Sequence, residues 1–405
     1  MPGLQLNKNT KDIMELTILM PCLNEARTIE KCVNQAQKFL KKNNISGEIL
    51  VADNGSTDGS QALAENAGAR IIHVDQKGYG AALIGGINAA NGKYIIMGDA
   101  DDSYDLKNLE PFIFALNNGA QLVMGNRFKG GIAPGAMPPL HRWIGNPVLS
   151  ALGRLFFQLP IGDFHCGLRA FHAKSIRDLH LTAPGMEFAT EMIAKASFAK
   201  IRVEEVPTTL KPDGRGRPPH LRTWRDGWRH LRFMLLFSPL WLFLLPGLLS
   251  LTLSTLGLTI LWHGPLQIGG IGFDVHTMVF CSAGIALGIQ TLQWGAMVQW
   301  LGVIAGMRKI PDTSIFHSIK KIAKVETGLI LGLSLFLPGF FWSINLTSQW
   351  IQNNFGAIEN HTTLRSVIAA CTLMVVGVQT VGGSLFAGAI KAGIDSGFLR
   401  LRVTT

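Results

Sequence analysis

The chain has 405 residues, of which 47% are hydrophobic and 16% are charged, and its formal net charge at pH 7 is +10. This length allows two units with a core each, and the small charged fraction favours a membrane protein over a wholly soluble one. The five cysteines form no CxxC pair and no zinc-type spacing, which argues against a disulfide or zinc framework.

The first half of the chain alternates short β-rich runs with segments of helical periodicity. Four runs predict strands: residues 16–20, 49–52, 70–74 and 94–97. Three segments predict helices: residues 28–41, 60–67 and 80–90. We expect the first strand to end at Pro21, and Thr28 and Ser60 to be N-caps. The alternation predicts an α/β domain with a mainly parallel, Rossmann-like sheet.

Polar side chains follow three of the predicted strands, at residues 21–25, 53–58 and 99–101. Ligands of such sheets bind beyond the carboxyl ends of the strands, so these segments form the expected site. Asp99 and Asp101 can hold a hard divalent cation that bridges the phosphates of a nucleoside diphosphate. An ordinary acidic turn is the alternative at this position.

The second half of the chain is predicted to lie in a membrane. Four runs lack Asp, Glu, Lys and Arg: residues 233–262, 275–307, 327–346 and 366–390. Each run reaches the roughly 20 residues needed to cross a bilayer. The first and third connecting loops have no Lys or Arg, whereas the second loop and the C-terminal end contain several. We therefore expect the N-terminal half and both termini to be cytoplasmic.

A basic segment, residues 211–232, connects the two halves. On a helix, Trp224 and Trp228 share one face, and Arg225 and Arg229 lie on the neighbouring face. This pattern suits a helix in the headgroup layer of a membrane, with a solvated basic face as the alternative. The predicted organisation is a tail (1–14), an α/β domain (15–210), this interfacial segment, a four-helix membrane domain (233–392) and a second tail (393–405).

Six sequence segments occur together in an order and spacing that carry a family resemblance. They are MPCLNE (20–25), VADNGSTDG (51–59), KGYGAA (77–82), GDAD (98–101), GNRF (125–128) and residues 163–171. By these segments the first half resembles a family 2 glycosyltransferase with the GT-A fold. More narrowly, it resembles the polyprenyl-phosphate glycosyltransferases, the group of the dolichyl-phosphate mannose and glucose synthases.

The resemblance implies metal-dependent, inverting transfer of one hexose from a UDP- or GDP-sugar to a polyprenyl phosphate, with Mg²⁺ or Mn²⁺ as the metal. The implied nucleotide-binding residues are Pro21, Asn24, Glu25, Asp53, Gly55, Lys77, Gly78, Asp99 and Ala100. The implied catalytic residues are Asp99, Asp101, Arg127 and Asp163, with Asp163 orienting the sugar. Ser103 stands where related enzymes commonly have a glutamine that holds the metal, so Ser103 or Asp102 is the expected third ligand.

The acceptor prediction also has a physical reason. A lipid monophosphate is largely ionised at pH 7, so an enzyme that uses it needs cations to hold it more than a base to activate it. The candidate cations are Arg127, Arg142, Arg215 and Arg217, and plain attraction to anionic lipid is the alternative for the last two. We expect membrane lipids, and no nucleic acid, as further partners. Glu191 is a further acidic candidate, with a position on a helix surface as the preferred alternative.

Three other functions agree less well with the sequence. A processive polysaccharide synthase usually has a QxxRW motif, which this chain lacks. A nicotinamide or flavin enzyme needs a third glycine where Leu83 stands. A scaffold or lipid-translocating protein would not need the Asp99–Asp101 pair, and the predicted spans contain no charged residue to mark a transport pathway.

Overall fold

The computed structural model describes residues 14–216, 223–238, 240–304, 325–356 and 361–396. It divides into two compact units, the first ending at Phe237 and the second beginning at Ser238. The predicted boundary at residue 233 lies close to this division.

The first unit is built on a seven-stranded sheet. Its strands are β1 Leu16–Cys22, β2 Gly47–Asp53, β3 Arg70–His73, β4 Tyr94–Met97, β5 Leu122–Asn126, β6 Arg169–His172 and β7 Val203–Pro207. The strand order is β3-β2-β1-β4-β6-β5-β7. Only β6 is antiparallel to its neighbours β4 and β5. The mainly parallel sheet confirms the predicted fold class, and the reversal at β6 was not predicted.

Helices cover both faces of this sheet. They are α1 Ile29–Lys42, α2 Ser60–Asn66, α3 Tyr79–Ala89, α4 Glu110–Asn117, α5 Arg127–Gly130, α6 Asn146–Phe157, α7 Ala173–Arg177, α8 Phe188–Phe198 and α9 Thr223–Phe237, with a π-helical segment His141–Gly145 before α6. One hydrophobic cluster lies beneath α1 and α4, and a second lies beneath α3 and α8. The apolar face of α1 is buried, as Ile29, Val33 and Ala36 have no exposed area.

The prediction that the first strand ends at Pro21 is wrong, because β1 continues to Cys22 in register with β2. Hydrogen-bonding direction alternates along a strand. The Leu19 carbonyl accepts from Gly98, beyond β4, and the Cys22 carbonyl accepts from Asn54, beyond β2. The nitrogen of Pro21 therefore faces the β4 side, where pairing has already ended at Leu19, and its missing N–H costs no hydrogen bond.

The two predicted N-caps are only partly right. Thr28 precedes α1, but its side chain makes no cap hydrogen bond, and its hydroxyl donates to the Glu25 carbonyl (3.3 Å). Gly59, with φ 86°, is the N-cap of α2, so Ser60 is the first helical residue instead. The Ser60 hydroxyl accepts from the Glu25 amide (2.7 Å) and thereby connects two strand-end loops.

The second unit is helical. It contains a π-helical segment Leu240–Leu244, α10 Leu245–Trp262, a hairpin of β8 Leu266–Ile268 and β9 Ile271–Phe273, α11 Val275–Ile304, α12 Val325–Gln352 and α13 His361–Asp395. Four helical stretches are long and apolar enough to cross a membrane, namely Trp241–Trp262, Val275–Gln299, Val325–Gln352 and Thr362–Gly393. These stretches confirm the four predicted spans, and the chain is a multi-pass membrane protein.

The fourth helix begins earlier than predicted and includes Arg365, whose Nη2 lies 2.5 Å from Asp274 Oδ1. Orientation was predicted from cations that mostly lie outside the described residues: Arg308, Lys309, Lys320, Lys321, Lys324, Arg400 and Arg402. Cytoplasmic orientation therefore stays a prediction.

Core packing in the first unit can be tested with a pair of phenylalanines on two helices. Phe39 on α1 is 1% exposed, whereas Phe114 on α4 is 65% exposed. Phe39→Ala should cost about 3–5 kcal/mol and lower the unfolding midpoint of this unit by at least about 6 °C in scanning calorimetry. Phe114→Ala should leave the midpoint nearly unchanged. Equal losses in both variants would contradict the packing described here.

Candidate active site

The centre of the site is the turn after β4, which carries Asp99 and Asp101. The Asp99 carboxylate has a hydrogen-bond donor on one side and a closely approaching backbone segment on the other. Tyr79, the first residue of α3, donates its hydroxyl to Asp99 Oδ1 (2.9 Å). A Cβ atom at Gly167 would lie 2.6 Å from Asp99 Oδ2, so glycine is needed for the backbone to approach this closely.

The charge of Asp99 is poorly tolerated by its surroundings. Burial and the neighbouring Asp101 charge raise the pKa of Asp99 to about 6, although the Tyr79 hydrogen bond and the charges of Arg215 and Arg127 lower it. A carboxyl group with this pKa gains from any cation that enters the site.

Asp101 is buried, and each of its oxygens has a partner. The amide of Ser103 (3.0 Å) and its hydroxyl (2.5 Å) donate to Asp101 Oδ1. The Arg215 guanidinium donates through Nη2 to Asp101 Oδ2 and places Nη1 3.4 Å from Glu25 Oε1. Arg215 thus connects two of the three segments that follow the strands.

Asp102 turns away from this pair. Its φ is 63°, and its carboxylate accepts from Lys31 and from Gln35 Nε2 (2.8 Å), both on α1. Ser103, in contrast, contacts Asp101 directly, so of the two expected third metal ligands only Ser103 is brought to the carboxylate pair.

The turn after β2 is organised by Asp53. Its carboxylate accepts from the amides of Gly55 (3.0 Å) and Ser56 (3.2 Å) and from Gln61 Nε2 (2.7 Å). Burial opposes ionisation, but these hydrogen bonds bring the pKa of Asp53 below its ordinary value. Asp53 therefore shapes the turn that was predicted to bind the nucleotide.

Other predicted nucleotide-binding residues support the same turn. Asn24 Oδ1 accepts from the Thr57 amide (2.8 Å), and Lys77 Nζ donates to the Asn54 carbonyl (2.7 Å). Two positions require glycine, since each has positive φ and a Cβ at either would be 2.1 Å from a neighbouring atom: Gly55 (φ 96°, against Lys77 Nζ) and Gly78 (φ 137°, against the Pro184 carbonyl oxygen). Ala100 is buried in the core cluster.

Arg127 and Asp163 form a buried ion pair. Arg127 follows β5 directly, and its Nε and Nη2 lie 2.7 and 2.8 Å from the two oxygens of Asp163, which is 0% exposed. The Arg127 amide also donates to Asp163 (3.1 Å). Because both Asp163 oxygens contact Arg127, Asp163 fixes the guanidinium and does not present a free oxygen to a sugar.

One of the two remaining predicted cations, Arg142, lies among the described residues. Arg142 lies in the π-helical segment, and its guanidinium carbon is 5.3 Å from the centroid of the Trp143 ring. Burial and then the Arg127 charge lower the pKa of the adjacent His141, so this segment is within electrostatic reach of Arg127. Arg217 lies outside the described residues.

The expectation that Glu191 lies on a helix surface is wrong, because it is 1% exposed. Its carboxylate accepts from the amides of Thr182 (2.9 Å) and Ala183 (2.8 Å) and lies 2.8 Å from Lys195 Nζ. The loop that Glu191 holds is connected to the site through α3, because the Pro184 carbonyl accepts a hydrogen bond from the Ala81 amide of that helix. Glu191 thereby supports the helix that carries Tyr79.

Four further residues near the site were not predicted from the sequence. Tyr79 stands inside the quoted KGYGAA segment, which was the available signal. Arg169 is fully buried and donates to the carbonyls of Cys166 (2.9 Å) and Phe164 (3.0 Å), which shapes the loop after Asp163. The His165 ring contacts the His230 ring edge-on at 4.5 Å, and no spacing in the sequence indicates this contact.

The residues present fit a divalent cation that is shared with a ligand. Among the described residues, no group of three or more His, Cys, Asp or Glu side chains forms a complete metal site. Two carboxylates with hard oxygens are what Mg²⁺ uses when substrate phosphates supply further ligands. The Arg215 guanidinium already contacts Asp101, so this position accommodates a positive charge.

Comparisons with known proteins match both units. The family model "Glycosyl transferase family 2" matches residues 17–179, and the model "Glycosyltransferase family 2 C-terminal transmembrane region" matches residues 296–391. The chain is 34% identical to the low-salt glycan biosynthesis hexosyltransferase Agl6 of Haloferax volcanii, over 93% of this chain and 89% of the relative.

Two further relatives come from the same organism. Glycosyltransferase AglJ is 31% identical over 69% of this chain and 91% of its own length. A dolichyl-phosphate hexose transferase is 25% identical over 48% of this chain and 81% of its own length.

The buried ion pair generates a stability prediction. Asp163→Asn leaves the Arg127 charge buried without its partner, so it should destabilise the first unit by roughly 3–5 kcal/mol. Glu204→Gln is the matched control, because its partner Arg202 has a 60% exposed side chain and such pairs contribute only about 0–1 kcal/mol. Unfolding midpoints from calorimetry compare the two, and similar small losses in both would contradict this assignment.

Proposed function

The chain belongs to glycosyltransferase family 2, and we propose that it transfers one hexose from a nucleoside diphosphate sugar to a polyprenyl phosphate at the cytoplasmic face of a membrane. The observation that carries this proposal is the Asp99–Asp101 pair, which lies within reach of two guanidinium groups, Arg127 and Arg215, in a chain with four membrane-spanning helices. The carboxylates suit a metal-bound diphosphate, and the guanidinium groups suit a second phosphate.

The donor is proposed to bind across the ends of β1, β2 and β4. The turn held by Asp53 and the glycines Gly55 and Gly78 allow a nucleotide to approach the backbone. Lys77 is exposed beside this turn and supplies a positive charge. Asp99 and Asp101 would hold Mg²⁺ or Mn²⁺, which supplies charge neutralisation for the departing nucleoside diphosphate. Ser103 orients Asp101 through its hydroxyl.

The proposed acceptor follows from the partners of the nearby carboxylates. An alcohol acceptor needs a general base to take its proton. Asp163 contacts Arg127, Asp102 contacts Lys31, and Glu191 contacts Lys195. Each of these carboxylates is already paired with a cation, which supports an acceptor that is ionised before it binds.

The proposed reaction needs no proton transfer. An oxygen of the lipid phosphate attacks the anomeric carbon of the hexose on the face opposite the diphosphate. The new bond joins that carbon to the phosphate oxygen, and the bond to the diphosphate breaks with its electron pair leaving on the nucleoside diphosphate. The anomeric configuration is inverted. Arg127, fixed by Asp163, is proposed to hold the acceptor phosphate, with Arg142 and Arg217 as further cations.

The proposal is tested with a panel of radiolabelled UDP- and GDP-sugars. Purified full-length protein in detergent, a short polyprenyl phosphate and Mg²⁺ or Mn²⁺ should yield a chloroform-extractable labelled lipid with one donor. Asp101→Asn should reduce this yield about 100-fold or more, because metal and diphosphate lose a ligand. Asp102→Asn is the control and should stay near wild type. Labelled polymer, or hydrolysis without lipid product, would contradict the proposal.

The pKa of Asp99 generates a pH prediction. The ionised carboxylate is the form that binds a cation, so activity should fall as the pH drops through about 6. Tyr79→Phe removes a hydrogen bond that lowers the pKa of Asp99. It should therefore move the acid limb of the pH–rate profile to higher pH by about 0.5–1 unit. Tyr94→Phe, whose hydroxyl contacts Asn117, should not move it. Identical acid limbs for both variants would contradict this role.

A further inference from the structure

A short segment, residues 211–216, crosses the Asp99–Asp101 turn. The Lys211 amide donates to the Ser103 carbonyl (2.9 Å), and the Gly214 amide donates to the Asp101 carbonyl (2.9 Å). These two backbone bonds place Arg215 directly over the Asp101 side chain. The segment is therefore attached to the same turn whose carboxylates face the diphosphate in the proposed function.

The Arg215 side chain is largely buried, with 16% of its area exposed. Its Nη2 donates to Asp101 Oδ2, its Nη1 lies 3.4 Å from Glu25 Oε1, and its buried Nε has no hydrogen-bond partner. Leaving this buried N–H donor without an acceptor costs free energy in the position that Arg215 occupies. Arg215 is held there mainly by the two carboxylates.

Asp101 has one oxygen that a metal can reach. Oδ1 already accepts from the amide and the hydroxyl of Ser103. Oδ2 is the remaining oxygen, and it is the one that contacts Arg215. Mg²⁺ binds carboxylate oxygens at about 2.0–2.1 Å and requires direct contact. A guanidinium and a metal ion therefore compete for Oδ2, because their positive charges repel each other at this distance.

We propose that Arg215 is a built-in counter-ion that competes with the divalent cation for Asp101, and that the cation releases Arg215 to hold the acceptor phosphate. This inference rests on the proposed function for its acceptor step only. The order of binding follows from this exchange. The metal-bound donor binds first and takes the place of Arg215 on Asp101, and Arg215 then becomes available to the acceptor. The metal then strengthens acceptor binding without touching the acceptor.

The backbone on either side of Arg215 allows this movement. Gly214 and Gly216 flank it, and Gly216 has φ 67°, a conformation that other residues rarely adopt. A Cβ at Gly216 would lie 2.1 Å from Arg27 Nη1, and one at Gly214 would lie 2.8 Å from Thr28 Cγ2. Glycine at both positions lets the segment approach Arg27 and Thr28 closely, and the permissive glycine backbone on either side lets the arginine change direction.

The first test measures Mn²⁺ binding alone, by the electron paramagnetic resonance signal of free Mn²⁺ with full-length protein in detergent. Arg215→Gln should bind Mn²⁺ about tenfold more tightly than wild type, since the competing charge is gone. Arg215→Lys keeps the charge and should stay within about threefold of wild type. Arg70→Gln, which loses an ion pair with Glu48, should match wild type. Unchanged or weaker Mn²⁺ binding by correctly folded Arg215→Gln would overturn the competition.

The second test measures equilibrium binding of a short polyprenyl phosphate, with and without Mn²⁺ and UDP or GDP. Wild type should bind it more tightly when metal and nucleotide are present, and Arg215→Gln should lose this gain. A gain of equal size in Arg215→Gln would overturn the release step. Competition for Mn²⁺ together with no binding of polyprenyl phosphate by any variant would instead reject the proposed acceptor and leave the counter-ion role supported.

Discussion

The repulsion between two carboxylates one residue apart, Asp99 and Asp101, is the constraint around which the site is built. Burial leaves this charge poorly solvated and raises the pKa of Asp99 to about 6. Tyr79 and Ser103 donate hydrogen bonds to the pair, and Arg215 adds a positive charge. These groups offset part of the charge, and a divalent metal ion would offset more of it. A site with this excess of negative charge favours a ligand that binds together with a cation.

The fold delivers these groups from separate parts of the chain to one edge of the sheet. Parallel β1, β2 and β4 end together, which brings their loops into contact. The antiparallel strand β6 then returns the chain so that the loop before it, which contains Asp163 and Gly167, reaches the same edge. Asp163 fixes Arg127 there by two hydrogen bonds. A single reversal in the sheet thus brings the carboxylate that fixes Arg127 to the edge where the parallel strands end.

Periodicity and strand-end position predicted the α/β fold, the four spans and the Asp99–Asp101 turn, because these depend on local patterns. They did not predict how side chains pair. Glu191 has the sequence context of a surface helix, yet it binds amides of a loop nine residues before it. Asp163 and Arg127 are 36 residues apart, and Arg215 and Asp101 are 114 apart. Such contacts depend on the tertiary arrangement and leave no periodic signal.

In the proposed function the acceptor arrives ionised and is held by Arg127, which Asp163 fixes in place. It is tested most directly by comparing single-turnover transfer from the active donor to a polyprenyl phosphate and to the polyprenol of the same chain length. We expect rapid transfer to the phosphate and no detectable transfer to the alcohol, since Asp163, Asp102 and Glu191 are each paired with a cation. Transfer to the alcohol at a comparable rate would contradict it.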